Sequence, residues 1–196
     1  MRIKKKNTPE APSVDALKAE LRRERYKKRY RGVLRSSIYI LVVAAAIAVL
    51  IATLWMPVLQ IQGNSMTPTL HEGEIVISIK GTKYEAGDLV CFYVGNKLLI
   101  KRYIAGPGQW VDIDKSGNVY VDGEMLDEPY LTEKAFGDCN IELPYQVPES
   151  RYFVLGDHRS TSKDSRNTAV GNVSDEQIVG RAVFRVWPFD KFGSLD

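Results

Sequence analysis

The chain has 196 residues, 26% of them charged, and a formal net charge of +3, which is room for one modest globular domain with appendages. That charge joins unlike parts: residues 1–37 hold 13 basic and 4 acidic residues, a net +9, whereas residues 38–196 hold 14 and 20, a net −6, so no nucleic-acid partner is expected for the larger part. With two histidines, two cysteines and no CxxC, a metal is not expected, and without a Gly-rich strand-to-helix loop neither is a nucleotide or any other cofactor.

Residues 1–12 are polar with two prolines and read as disordered. Ser13 is placed to cap a helix running to about Arg31, with Val14, Leu17 and Leu21 on one face. Next comes Ile38 to Met56, 19 residues without a charge, about 28 Å long as a helix and close to a bilayer's hydrocarbon thickness. A basic cluster from Arg22 to Arg35 precedes it, and no Lys or Arg follows until Lys80, which orients the N-terminus to the cytoplasm. A cleaved signal peptide usually has an apolar region of only about 7–15 residues, and an all-round apolar stretch with no polar face suits a buried core helix poorly in a domain this small. The expected division is therefore a basic cytoplasmic tail at 1–35, a transmembrane signal anchor at 36–57 and an extracytoplasmic domain at 58–196, with the bilayer as a partner.

The domain reads as mostly β. Short apolar or alternating runs occur at Val58–Gln62, Ile75–Ile79, Asp88–Val94, Leu98–Ile104, Trp110–Ile113, Val119–Val121, Tyr152–Leu155 and Val179–Trp187. Between them lie Gly95-Asn96, Gly106-Pro107-Gly108, Lys115-Ser116-Gly117-Asn118 and Asp122-Gly123, which are turn and hairpin residues. Thr132–Glu149 is polar and contains Pro144 and Pro148, so a loop is expected. Cys91 lies in a strand and Cys139 in that loop; the preferred reading leaves them unpaired, although an oxidising compartment permits a bond.

Three stretches carry candidate chemistry: GNSMTPTL at 63–70, IKRYIAGPGQ at 100–109 and LGDHRSTSKDSRN at 155–167. Lys101 sits between Leu98-Leu99-Ile100 and Tyr103-Ile104. Desolvation penalises an ammonium there, and a neutral amine can take a proton from a serine hydroxyl. Ser65 follows Gly63-Asn64 and precedes Met66-Thr67-Pro68, a tight turn suited to projecting a nucleophile and exposing backbone N–H groups.

These stretches resemble the boxes of the bacterial type I signal peptidases, membrane-bound Ser–Lys proteases that remove signal peptides, and in particular the short form of Gram-positive bacteria. The family's Ser-Met-x-Pro-Thr-Leu matches Ser65–Leu70, its Lys-Arg-x-x-Gly-x-Pro-Gly-Asp matches residues 101–109, and its Gly-Asp-Asn-Arg-x-x-Ser-x-Asp-Ser-Arg matches residues 156–166. The resemblance implies an anchor helix followed by a compact antiparallel β-sheet or barrel-like catalytic domain, with exported preproteins as substrates. It implies Ser65 as nucleophile, Lys101 as general base, Ser162 hydrogen-bonded to the lysine amine, and Asp164 and Arg166 as a supporting pair. It also implies the Ser65 N–H as one oxyanion donor; Gly63 stands where many Gram-negative members carry a serine that supplies another, so the second donor stays open. Ile61, Met66, Leu70, Val76, Leu99 and Ile100 match positions lining pockets for Ala-x-Ala-type residues, and the strand ending at Gln62 would pair with the substrate. Ala105, Gln109 and His158 depart from the box glycine, aspartate and asparagine.

Other classes remain to be weighed. Self-cleaving SOS-response repressors share a Gly-x-Ser-Met turn but need a DNA-binding domain where this chain has its apolar segment. A penicillin-recognising Ser-x-x-Lys enzyme is excluded by Pro68. A catalytically weak relative acting in assembly of surface proteins or pili is the non-enzyme alternative, and retention of Lys101 with Ser65 and Ser162 argues against it.

Overall fold

In a computed structural model of the chain, residues 13–81 and 83–195 are described; the tail expected over 1–12 lies outside them. The chain divides into two units, Met1–Leu50 and Ile51–Asp196. Beyond Ser13 the described part of the first lies in α1, Val14–Trp55, 42 residues long, whose last five residues fall in the second unit. It is one helix where the sequence suggested two, because residues 32–37 contain only Gly32 as a weak helix former, at a cost of about 1 kcal/mol, and no proline to break the ladder. Asp15 lies in its first turn, where a carboxylate complements the helix dipole. At its other end Met56 N–H reaches the Ala52 carbonyl at 2.8 Å, and Pro57, having no N–H, stops it. Every side chain from Ile38 to Trp55 is exposed. A helix apolar all round with no buried face is stable only in an apolar surrounding, and the span has the length and composition to cross a membrane.

Beyond the end of α1 the second unit is mostly β, with two single-turn 3-10 helices at Asp175–Gln177 and Phe189–Lys191. Its larger sheet contains β1 (Val58–Gln60), β2 (Ile75–Ile79), β3 (Leu89–Val94), β4 (Lys97–Ala105), β9 (Arg151–Leu155), β10 (Val173–Ser174), β11 (Ile178–Trp187) and β12 (Gly193–Ser194). Its order is β1-β2-β11-β3-β4-β9-β10, with β12 on β11, and the pairings are antiparallel. The smaller sheet has the order β7-β6-β5-β8, from Glu124–Met125, Val119–Val121, Trp110–Ile113 and Tyr145–Gln146. The expected mostly β, antiparallel architecture is present as two sheets, and among the described residues neither strand path closes into a barrel. The expected loop at 132–149 also gains a strand, β8, because Trp110 and Val111 offer Gln146 and Tyr145 an open edge.

Asp122 and Gly123, both at positive φ (53° and 84°), make the tight β6–β7 hairpin that the Asp-Gly pair signals. The β3–β4 hairpin forms the centre of the larger sheet and carries Lys101. Leu89 and Cys91 of β3 belong to one buried cluster with Ile61, Met66, Leu70, Val76 and Ala182, whereas Val90 and Phe92 face Tyr103, Val154 and Val173. Burial on both faces explains why this strand is apolar throughout instead of alternating.

Candidate active site

The turn carrying Ser65 is held from both ends. Ile61 N–H donates to the Glu74 carbonyl at 2.8 Å and Gly73 N–H to the Ile61 carbonyl at 3.0 Å, while Leu70 N–H closes on Met66 at 2.8 Å. Met66 and Leu70 are buried and act as plugs in the core. Gly63, at φ +77°, lets the chain reverse without a strained side chain. Between these anchors Ser65 is half-buried, and no described residue accepts its backbone N–H.

Lys101 reaches this hydroxyl from the middle of β4, where it stands opposite Val90. It is 3% exposed, and its Nζ donates to Ser65 Oγ at 2.5 Å. Burial pulls its pKa down to about 8; Asp164 and Asp157 oppose that pull and Arg166 adds to it. An amine so placed is neutral in an appreciable fraction of molecules near pH 7–8 and can then accept a proton.

The loop from Gly156 to Arg166 supports the pair. Arg166 is fully buried and binds Asp164 at 2.8 Å, while Asp164 accepts the Gly156 N–H at 3.0 Å. The Arg166 guanidinium also donates to the Phe136 and Arg159 carbonyls, so its donors are well satisfied. Ser162 is buried nearby: a Cβ on Gly156 would collide with Ser162 Oγ and with the Ser65 carbonyl. The hydroxyl of Ser162 has no hydrogen-bond partner among the described residues, so the expected bond to the Lys101 amine is not formed in this structure.

Sequence reading missed a second buried pair. Arg102 forms a bidentate contact with Asp157 at 2.9 and 2.7 Å, donates to the Gly87 carbonyl, and lies 3.7 Å over the Tyr130 ring. Thr69 donates to the same Asp157 at 2.5 Å, which ties the Ser65 turn to the strand of Lys101. The only signal was on one side: Arg102 lies in a mostly apolar strand, where a buried guanidinium needs an anionic partner, but nothing singled out Asp157. A third buried pair, Arg159 with Glu128, fastens the segment after β7 to the same loop. Gln109, in place of the box aspartate, accepts the Gly106 N–H at 2.8 Å through its side-chain oxygen, as a carboxylate there would. Cys91 and Cys139 are both free, and among the described residues no cluster of His, Cys, Asp or Glu is placed to hold a metal ion.

A groove of about 680 Å³ opens in front of Ser65 and Lys101. One wall is the run Val58–Gly63 with Met66, and the other is Asn96–Lys101. Ile61, Met66, Leu99 and Ile100 line it, together with Leu59 and Leu98. Leu70 and Val76 do not: both are 0% exposed and lie in the cluster beneath Met66. Both walls are free strand edges. β1 pairs only with β2, and β4 pairs with β9 only from Arg102 onward, which leaves Leu98 to Lys101 with one open side.

Comparison with known proteins points to one family. The family model described as signal peptidase, peptidase S26, matches residues 34–187. Signal peptidase IB of Staphylococcus aureus is 39% identical over 152 residues, covering 67% of this chain and 78% of its own. Signal peptidase I of Bacillus licheniformis is 35% identical over 173 residues, covering 80% and 90%. A solved signal peptidase I from Enterococcus faecalis aligns over 51% of this chain and 97% of its own, with 28% identity and a TM-score of 0.44.

Proposed function

Since the chain belongs to the signal peptidase family, peptidase S26, and is a serine protease of that family, we propose that it removes signal peptides from exported preproteins with a Ser65–Lys101 dyad. The observation that carries this reading is the 2.5 Å contact between a buried amine and the hydroxyl of an anchored turn. Neutral Lys101 takes the Ser65 proton as Oγ attacks the carbonyl carbon of the scissile peptide. The resulting oxyanion is met by the unpaired N–H of Ser65, which is fixed before the reaction and needs no reorganisation. The Lys101 ammonium then passes its proton to the leaving amine, and an ester joins Ser65 to the signal peptide. Water, giving a proton to the neutral lysine, hydrolyses the ester and restores the hydroxyl.

The groove supports the specificity. Two open strand edges can bind an extended peptide through its backbone. The apolar side chains of Ile61, Met66, Leu99 and Ile100 leave room for small residues before the cleaved bond and reject charged ones by desolvation.

Membrane attachment is part of the same proposal, with residues 1–35 cytoplasmic, 36–57 spanning and 58–196 outside. The +9 tail and −6 remainder around an uncharged span support that orientation. Attachment, though not its direction, is also supported by the outer face of the larger sheet: Val58, Ile77 and Phe184 stand side by side in register, and Trp187 and Phe189 nearby are exposed. An apolar face beginning two residues after the helix suits the headgroup region of a bilayer.

The experiment is incubation of the purified full chain with an exported preprotein, reading the new N-terminus by mass spectrometry. Cleavage after a small-x-small sequence, lost in Ser65→Ala, is expected. An intact preprotein under conditions where the enzyme is folded would overturn the reading.

A further inference from the structure

His158 occupies the position of a box asparagine and is one of only two histidines in the chain. It joins the Ser65 turn to the Ser162 segment through three groups. Its backbone N–H donates to the Ser65 carbonyl at 3.1 Å, and its carbonyl accepts the Ser162 N–H at 3.0 Å. Its imidazole Nδ1 lies 3.2 Å from the Thr67 hydroxyl. The first two are main-chain bonds that most residues could make at that position; the third depends on the side chain.

Counting hydrogens assigns the direction of that third bond. Thr67 has one hydroxyl hydrogen, and its Oγ1 lies 2.9 Å from the Asn64 carbonyl, which can only accept. We assign the hydrogen to the shorter contact, with Asn64, which makes the imidazole the Nδ1–H tautomer and Nδ1 the donor to Thr67. An Nδ1 that already carries a hydrogen cannot take one from Ser65. What it can do is fix Thr67, whose own N–H also closes on Asn64 at 3.1 Å, and so complete the turn around Ser65.

We propose that His158 is a positioning residue: its Nδ1–H bond to Thr67, together with its N–H bond to the Ser65 carbonyl, holds the Ser65 hydroxyl in reach of Lys101. This rests on Ser65 being the nucleophile. The δ position is what distinguishes the idea. An asparagine at 158 carries its amide nitrogen where histidine carries Nδ1 and can make the same bond. A glutamine carries its amide one atom further out, near the place of Nε2, and cannot.

The test uses the full-length protein in detergent and a preprotein substrate. His158→Ala, His158→Gln and Thr67→Val are expected to lower kcat about tenfold with KM little changed, because a nucleophile slightly out of place loses rate more than binding. His158→Asn and Thr67→Ser are expected to stay within about twofold of the parent, since each keeps the bonding atom. The double variant His158→Ala/Thr67→Val should be no slower than either single one, and the rising limb of the pH–rate profile should not move. Hydrogen exchange read by mass spectrometry on residues 64–70 should quicken in His158→Ala and His158→Gln but not in His158→Asn. Equal rates for His158→Asn and His158→Gln, a parental kcat in His158→Ala, or multiplying effects in the double variant would overturn the proposal. Full activity in Ser65→Ala would instead reject Ser65 as nucleophile, and the exchange pattern would still decide whether His158 braces the turn.

Discussion

The Lys101 amine stands 2.5 Å from the Ser65 hydroxyl, with the lysine stem almost wholly enclosed. Two effects of opposite sign meet at this contact. Burial disfavours the ammonium, while the carboxylates of Asp164 and Asp157 favour it. Both carboxylates are already engaged by arginines, Asp164 by Arg166 and Asp157 by Arg102. Pairing discounts their pull on Lys101, so burial wins and the pKa of the amine falls to about 8.

The pH dependence has a definite sign. At a pKa of about 8 roughly one amine in ten is neutral at pH 7, against fewer than about one in a thousand for an unperturbed lysine. kcat/KM should rise about tenfold per pH unit below 8 and level off above it. A rising limb that disappears in His158→Ala would assign the base to the imidazole instead.

Under the proposed mechanism Ser65 and Lys101 act as one unit. Ser65→Ala and Lys101→Ala should each reduce turnover by several orders of magnitude, and the double variant should be little worse than either. Single-turnover cleavage of a preprotein, with circular dichroism to establish folding, is the measurement. Losses that multiply would mean that the two residues contribute separately.

Much of the fold was legible because each strand of the β3–β4 hairpin is apolar and bounded by turn residues, and Gly95 at φ +57° sits where the turn was expected. Lys101 was legible for a related reason, since an amine between Leu98-Leu99-Ile100 and Tyr103-Ile104 loses its hydration and needs an explanation. Leu70 and Val76 were not separable from the groove residues. Met66 and Leu70 are four apart in one turn, and which of them meets the groove depends on how the turn packs on β2. Asp157 with Arg102 was hidden differently: the partners are 55 residues apart, and only the antiparallel pairing of β4 with β9 brings them together.

Leu99 and Leu70 should therefore respond differently to truncation. Leu70→Ala should cost about 2–5 kcal/mol of stability through a core cavity and leave the choice of cleavage site unchanged. Leu99→Ala widens the groove and should raise cleavage before a larger residue relative to alanine by about tenfold. A matched set of preproteins varied at the residues before the cleaved bond, together with thermal denaturation, distinguishes the two. A change of site preference in Leu70→Ala would put that residue back in the groove wall.

Orientation is open to a direct check. Protease added to intact spheroplasts should degrade residues 58–196 and spare the basic tail, given the charge division around the apolar span. A protected domain would reverse the proposed topology.

The same burial that activates Lys101 should cost stability, and the sign can be followed with pH. Below about 8 both folded and unfolded chains carry the ammonium, and the folded one bears the full penalty of burying it. Above the ordinary lysine value of 10.5 both carry the free amine and the penalty is gone. Between these limits the unfolded chain binds more protons, so raising the pH stabilises the fold. A depression from 10.5 to about 8 corresponds to roughly 3 kcal/mol at neutral pH. Lys101→Met, which keeps the length of the stem and drops the charge, should therefore be more stable than the parent at pH 7 by an amount of that order. The advantage should shrink as pH rises from 8 towards 10.5. Urea denaturation at a series of pH values measures it. A difference that is flat across that window, or that grows with pH, would mean that the Lys101 amine is hydrated in the folded protein and is not held neutral by burial.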